Sequence, residues 1–441
     1  MRELLAIPAT PDVLLPSLFA AWEGTGPAIL PYDPGLEGQN FGRLFAAMQP
    51  SSTMKPGGPV NLPFGRGVPD DVVAVIQTSG STGEPRGVQL TRSALEASVR
   101  AGLQRTQADP SIPWLNVLPL HHIAGLLTVL RGVVSGTPTV VHDGFDPDAI
   151  KALDGPHHLS LVPTMALRLT EAGVRQQEGT VVLIGGAAIA QRVADAWPHA
   201  VRTWGMTETA GGCVYDGKPL DGVSVLATPS GRLRIGGPTL MAGYRIQTDA
   251  GRGLTNGLAT DVTTELGEGL DPDGWFTSAD LGEVRDGDVT VYGRADDVIN
   301  TGGEKVIGGQ ISQILEQLDD VEEAAVVGIP DEEWGQRVVA VLVPVDPNRE
   351  GLRARLSLDV VRNHVKAALG APAAPKDVLV VRALPRLGNE KVDRIGLTAT
   401  VGAMLTPKPS EGGGCGGGCC GGGGCGNNAP VEAETSGCGS H

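Results

Sequence analysis

No stretch of this sequence is apolar for long enough to cross a bilayer. The run "IAGLLTVL", Ile123 to Leu130, stops at Arg131, far short of the roughly 20 residues a spanning helix needs. A basic surplus is missing as well. The net charge is −16, which argues against a nucleic-acid partner, because holding a phosphate backbone takes a basic surface. Small anionic ligands stay open, since a few local donors can outweigh the global field. Cysteine is nearly absent from the body of the chain: five of the six stand in the last 27 residues, leaving only Cys213, so disulfides do not hold that body together. No secretory leader is expected either. Glu3 and Asp12 interrupt "MRELLAIPATPDVLL", and the expected location is the cytoplasm. No internal repeat stands out.

What is present reads as globular, with 41% hydrophobic and 19% charged residues in a chain of 441, room enough for two domains. From Asp71 to about Thr203, β-rich runs ("VVAVIQ", "WLNVL", "TPTVVH", "HLSLV", "TVVLI") alternate with helical ones ("RSALEASVRAGL", "IAGLLTVLRGVV", "TMALRLTEAG", "AIAQRVADAW"). That alternation predicts βαβ units and a mostly parallel sheet covered on both faces. Between Gly211 and Tyr244 the period shortens and glycines multiply, predicting antiparallel strands in a β subdomain. Beyond "DVTVYGRADDVIN", helix, strand, strand, helix and strand follow in a compact α+β unit. The expected fold class is therefore α/β: a large N-terminal domain with mostly parallel sheets and a β subdomain, then a small α+β C-terminal domain. Its expected divisions are 1–293, a hinge at 294–300, a small domain at 301–405 and a tail at 406–441. The tail's "GGGCGGGCCGGGGCG" cannot bury a core, so disorder is expected. Cys415, Cys419, Cys420, Cys425, Cys438 and His441 could take a soft metal ion, but their spacing fits no zinc module.

One loop asks for a ligand. "TSGSTGEPRG", Thr78 to Gly87, sets hydroxyl residues between glycines and ends on a fixed cation. It is not a Walker A loop, because no Gly-Lys-Ser/Thr follows and the chain runs on into "VQL", a strand. Its N–H and O–H groups could still form an anion nest; a plain flexible loop is the alternative. Downstream come "WGMTETAGG", "GWFTSADLGEV", "GRADDVINTGGEKV" and "LPRLGNEKVDR". Together and in this order, over Asp71 to Arg394, these motifs resemble the adenylate-forming superfamily of acyl-CoA synthetases, luciferases and peptide-synthetase adenylation domains.

The resemblance implies roles residue by residue. Thr78, Ser79, Gly80, Ser81, Thr82 and Gly83 would cradle the phosphates of ATP, with Arg86 where relatives usually carry lysine. Glu208 would hold Mg²⁺, a hard cation suited to carboxylate oxygen, and Thr207 would touch the α-phosphate. Asp280 would accept from both ribose hydroxyls, assisted by Arg294. Gly185, Gly186 and Ala187 would flank adenine, though "IGGAAI" alone could be a strand end. Lys391, on a mobile loop of the small domain, would neutralise charge between the acyl carboxylate and the α-phosphate. Asp296 would be the hinge about which that domain turns, and Gly303 would line the coenzyme A tunnel. The implied chemistry is ATP-dependent ligation of a carboxylic acid to coenzyme A through an acyl adenylate, without nucleic acid or membrane insertion, in a family that often dimerises.

Three features bear on the acid. Fewer than 80 residues precede the loop, a short lead for this family. "LPLHHIAGL" puts His122 at the usual acyl entrance, where a core histidine is the competing reading. Arg131, nine residues further on an apolar helix, needs an anionic partner if buried. It would suit an acid with an aromatic ring and two carboxylates, or else reach the surface. A medium-chain or other aryl acid, a carrier-protein-loading enzyme and a non-catalytic relative are the alternatives.

Overall fold

The computed structural model describes residues 1–79, 85–246, 269–386 and 392–405. Gly80, Ser81, Thr82, Gly83, Lys391 and the cysteine-rich tail lie outside the described residues, as does the side chain of Ser79.

Four sheets organise the chain. The first has seven strands in the spatial order 243–245, 85–91, 72–79, 28–32, 4–8, 52–55, 58–61. Its centre is parallel, while Val72–Ser79 and Pro85–Thr91 form an antiparallel hairpin. The second sheet places five parallel strands (139–141, 114–116, 158–161, 182–185, 201–206) beside an antiparallel pair, 211–215 and 218–219. The third, strands 224–227, 232–236, 276–285 and 288–294, is antiparallel throughout. The fourth forms the smaller C-terminal domain around Gly335–Pro344, which pairs antiparallel with the outer strand Val321–Asp331 and with Val298–Thr301, and parallel with Asp377–Val380.

The first two sheets share one apolar core. Helices Arg92–Thr106 and Ile123–Ser135 lie in it, contributing Leu95, Val99, Leu126, Leu127 and Leu130 beside Ile7, Ile76 and Leu183 of the strands. This explains why "IAGLLTVL" is apolar on every side: Gly125 through Gly132 are all buried, as expected of a helix covered by sheet and helix alike. The run is a core helix. Among the described residues no helix is long and apolar enough to cross a membrane.

Two expectations are revised. The segment Asp71–Thr203 does not make a single sheet: its first two strands join the first sheet and the rest build the second. The Gly211–Tyr244 stretch is likewise divided, extending the second sheet, opening the third, and returning at Gly243–Arg245 to pair with Pro85–Thr91. A period of two marks a strand but not its partner, and partners here are set by contacts distant in sequence.

That returning strand is pinned by Arg245, which is fully buried. Its guanidinium donates to the carbonyls of Met48 at 2.5 Å, Gly67 at 2.8 Å and Gln49 at 3.0 Å, and also to that of Arg66. Burial pushes its pKa down to about 9, with Arg66 adding to the effect, so it stays charged at neutral pH. Exchange to methionine would strand four carbonyl acceptors, one buried and three part-buried. A loss of about 3 kcal/mol or more is expected, read as a lower urea midpoint at unchanged slope.

Candidate active site

Parallel strands of the second sheet end at one edge, and the motif residues gather there, as the geometry of open α/β sheets favours. The strand Val182–Gly185 runs out into Gly186 and Ala187, both exposed. Gly185 is required by its neighbour: a Cβ there would lie 2.1 Å from the Thr203 hydroxyl. The adjacent strand Val201–Met206 turns directly into a short 3-10 turn, Thr207–Thr209. Thr209 fastens that turn, its Oγ1 accepting from the Met206 amide at 3.0 Å and lying 2.7 Å from the Gly211 carbonyl. Thr207 and Glu208 are half-buried on it, and the Glu208 carbonyl accepts from the Met241 amide at 2.9 Å.

Asp280 approaches from the third sheet. One carboxylate oxygen accepts from the Trp204 indole N–H at 2.7 Å, and the other lies 3.6 Å from the Arg294 guanidinium. The backbone is set by Ser278, whose hydroxyl accepts from the Asp280 amide at 3.1 Å and donates to the Leu233 carbonyl at 2.9 Å. Asp280 and Arg294 are opposite partners in the antiparallel pair, so strand register itself brings them together. Arg294 also grips Asp296 with two bonds of 2.9 and 3.1 Å. Burial works to lower the Arg294 pKa, but Asp296, with Asp280 and Asp297 nearby, holds it above its ordinary value. Next to it, burial raises the carboxyl pKa of Asp297 against the pull of Arg394, whose Nε stands 3.4 Å away.

From the first sheet comes the hairpin whose strands flank the glycine-rich loop. Thr78 pairs with Arg86 and Ser79 with Pro85, so the loop leaves and re-enters side by side. The Arg86 guanidinium lies 5.6 Å from the centre of the Tyr244 ring, and Tyr244 donates to Glu208 Oε1 at 2.7 Å. Trp204 and Tyr244 were not singled out by any sequence signal; Trp204 stood inside a motif with no role attached to it.

His122 opens the Ile123–Ser135 helix at the same edge, its ring 4.3 Å from that of His121. Burial lowers the His121 pKa, opposed by Asp33. Arg131 is placed differently. It is buried, about 13 Å further along the helix at 1.5 Å per residue, and donates to the Ser160 hydroxyl at 2.9 Å with its guanidinium 5.0 Å from the centre of the Trp114 ring. The anionic partner expected of a buried arginine is thus not among the described residues; an aromatic face and a hydroxyl take its place. Gly303 sits exposed in the turn between strands Val298–Thr301 and Glu304–Ile307 of the fourth sheet.

Residues 46–252 match the AMP-binding enzyme family, and residues 310–391 match the AMP-binding enzyme C-terminal domain. A probable 2-succinylbenzoate–CoA ligase of Mycobacterium tuberculosis is 41% identical over 358 residues, spanning 76% of this chain and 86% of that protein. The chain is an AMP-binding enzyme. A 2-succinylbenzoate–CoA ligase of Listeria monocytogenes is 30% identical over 73% of this AMP-binding enzyme and 68% of its own length. Among solved structures, ATP-bound MatB from Rhodopseudomonas palustris superposes with a TM-score of 0.74 at 20% identity, over 92% of this chain and 90% of that one. The o-succinylbenzoate CoA synthetase MenE from Bacillus subtilis, in complex with the acyl-adenylate intermediate OSB-AMP, gives 0.68 at 22% identity, over 90% and 88%. These two likenesses establish the α/β architecture with its large N-terminal and smaller C-terminal domains.

Among the described residues no three His, Cys, Asp or Glu side chains cluster as a metal cage. The half-buried Glu208 carboxylate has one oxygen bonded to Tyr244, while Asp280 is engaged by Trp204 and Arg294. That donor set fits Mg²⁺ arriving on nucleotide phosphates, since this ion usually keeps waters and takes only one or two carboxylates from protein.

Proposed function

We propose that this AMP-binding enzyme joins 2-succinylbenzoate to coenzyme A at the expense of ATP, giving 2-succinylbenzoyl-CoA, AMP and pyrophosphate, a step of menaquinone biosynthesis. The observation that carries the acid is the 41% identity across 86% of a relative named for that activity. An acid carboxylate oxygen attacks the α-phosphorus and pyrophosphate leaves; the coenzyme A thiol then attacks the acyl carbon, and AMP leaves with the bonding pair.

In this reading residues 1–293 bind ATP and acid, 294–300 form the hinge, and 301–405 turn about Asp296. Thr78, Ser79, Arg86 and the intervening loop hold the phosphates, Thr207 meets the α-phosphate, and Gly185, Gly186 and Ala187 border adenine. Asp280 and Arg294 hold the ribose. Mg²⁺ bound at Glu208 would supply charge neutralisation across the phosphates. His122 stands at the acyl entrance, Lys391 serves the first step and Gly303 the approach of coenzyme A.

The test is pyrophosphate release across o-succinylbenzoate, benzoate, octanoate and several amino acids, with and without coenzyme A. Turnover confined to o-succinylbenzoate is expected; preference for a monocarboxylate would overturn the substrate and keep the chemistry. Arg131→Met adds a second arm. If Arg131 reads the second carboxylate, KM should rise for o-succinylbenzoate by roughly tenfold or more, as for a lost bond to a charged group, and a trace benzoate activity should not move.

A further inference from the structure

We propose that Tyr244 is a positioning residue for the Glu208 carboxylate, coupling it to Arg86 at the exit of the phosphate hairpin. The inference rests on the reading above, in which Glu208 meets the metal carried by the nucleotide.

Three separate parts of the chain fix the ring. Its backbone lies in the Gly243–Arg245 strand, where Tyr244 pairs opposite Val88 and the next residue is locked by buried carbonyls. Arg86 lies over the ring, 5.6 Å from its centre. Gly269 closes against it: a Cβ there would fall 2.4 Å from Tyr244 Cε2, and its φ of +92° is one that side chains rarely adopt. So held, the phenol places its hydroxyl 2.7 Å from Glu208 Oε1, to which it donates.

The bond matters because of what Glu208 lacks. Its backbone is anchored through Met241 and the 3-10 turn, but a glutamate side chain keeps three rotatable bonds beyond that anchor. An ionised carboxylate accepts only, so a neutral donor can orient it without cancelling its charge. The phenol takes one oxygen, and the other has no partner among the described residues. Arg86 in the same position would neutralise the carboxylate; held beside the Tyr244 ring and hydroxyl instead, it keeps its charge for the phosphates. One tyrosine thus spaces a cation and an anion that both have business with the nucleotide.

Titration calorimetry separates this from packing. ATP is titrated with Mg²⁺ and again with EDTA into the full chain, for wild type, Tyr244→Phe, Glu208→Gln and the double variant. Tyr244→Phe should keep metal-free ATP affinity within about twofold while the Mg²⁺ concentration for half the metal-dependent gain rises about tenfold, the size of one lost hydrogen bond to a charged group. On the Glu208→Gln background the same exchange should add nothing. Gly269→Ala, which drives a methyl against the Cδ2–Cε2 edge of the ring, should reproduce the loss with the tyrosine intact. An unchanged Mg²⁺ midpoint in Tyr244→Phe, equal weakening with and without metal, or a further loss in the double variant would each overturn the inference. A wild-type protein that binds ATP with no metal-dependent gain would sink the Glu208 reading itself, and this inference with it.

Discussion

Exchange of Lys391 for alanine should slow acyl-adenylate formation by roughly 10²–10³-fold, the scale for removing a preorganised charge from a transition state. Coenzyme A attack on supplied acyl adenylate should stay within about threefold, as expected for a group whose part ends when the small domain turns. The asymmetry follows from charge. In the first step a carboxylate must approach an α-phosphate, anion against anion, and a cation between them relieves developing repulsion. In the second, a thiol meets an ester-like carbonyl and no such pair arises. The two flanks of the Lys391 segment are closed by the Arg386–Val392 bridge and by the Asp393 amide on the Pro385 carbonyl at 2.8 Å. Arg386 then grips Glu323 through two contacts of 2.8 Å, and Arg394 lies 3.4 Å from Asp297. Single-turnover release of pyrophosphate, set against AMP release from synthetic adenylate, measures both steps. Equal losses in the two would assign Lys391 to machinery they share; no loss in the first would hand the task to another cation.

How far the residues announced all this depends on how local the cause is. The strand after the glycine-rich stretch was legible because strand propensity is a property of adjacent residues, and Val88, Gln89 and Leu90 do lie in a strand. The apolar helix at Ile123–Ser135 was equally plain from its period and composition. The partition into sheets was not. Gly243–Arg245 is three residues long, and nothing in "GYR" says that it returns across more than 150 residues to lie beside Pro85–Thr91. The bond from Tyr244 to Glu208 depends on that return, so no reading of either motif alone reveals it. The two strands and the helix before Glu37 went unread for a related reason: their parallel pairing is with each other and with Val72–Ser79, across connections whose length the pattern does not encode. Arg131 shows the reverse failure. The sequence marked it correctly as a charge on an apolar helix, but an aromatic face and a hydroxyl can serve a buried guanidinium as a carboxylate does, and composition does not distinguish them.

Asp280→Ala should cost roughly 10²–10⁴-fold in kcat/KM for ATP, since two hydrogen bonds to a charged acceptor are worth about 1.5–3 kcal/mol each. The carboxylate has oxygen lone pairs enough for more than its present partners, one bond from Trp204 at 2.7 Å and an ion pair with Arg294 at 3.6 Å. Both partners orient it. Trp204 belongs to the strand that runs into the turn carrying Glu208, and Arg294 is gripped by Asp296, so one side chain ties the proposed ribose position to the proposed phosphate edge and hinge. Asp280→Asn separates these duties. The amide keeps one acceptor but turns the other oxygen into a donor, which must face either an indole N–H or a guanidinium, and an intermediate loss is expected. The discriminating substrate is 2′-deoxy-ATP. Wild type should prefer ATP by roughly tenfold or more, the worth of one such bond, while Asp280→Ala should treat the two nucleotides nearly alike, because the group that reads the hydroxyl is gone. A preference that survives the alanine exchange would place ribose recognition elsewhere and leave Asp280 as the strut between Trp204 and Arg294. In that case the loss should appear in thermal stability and in acyl-adenylate formation with every nucleotide equally.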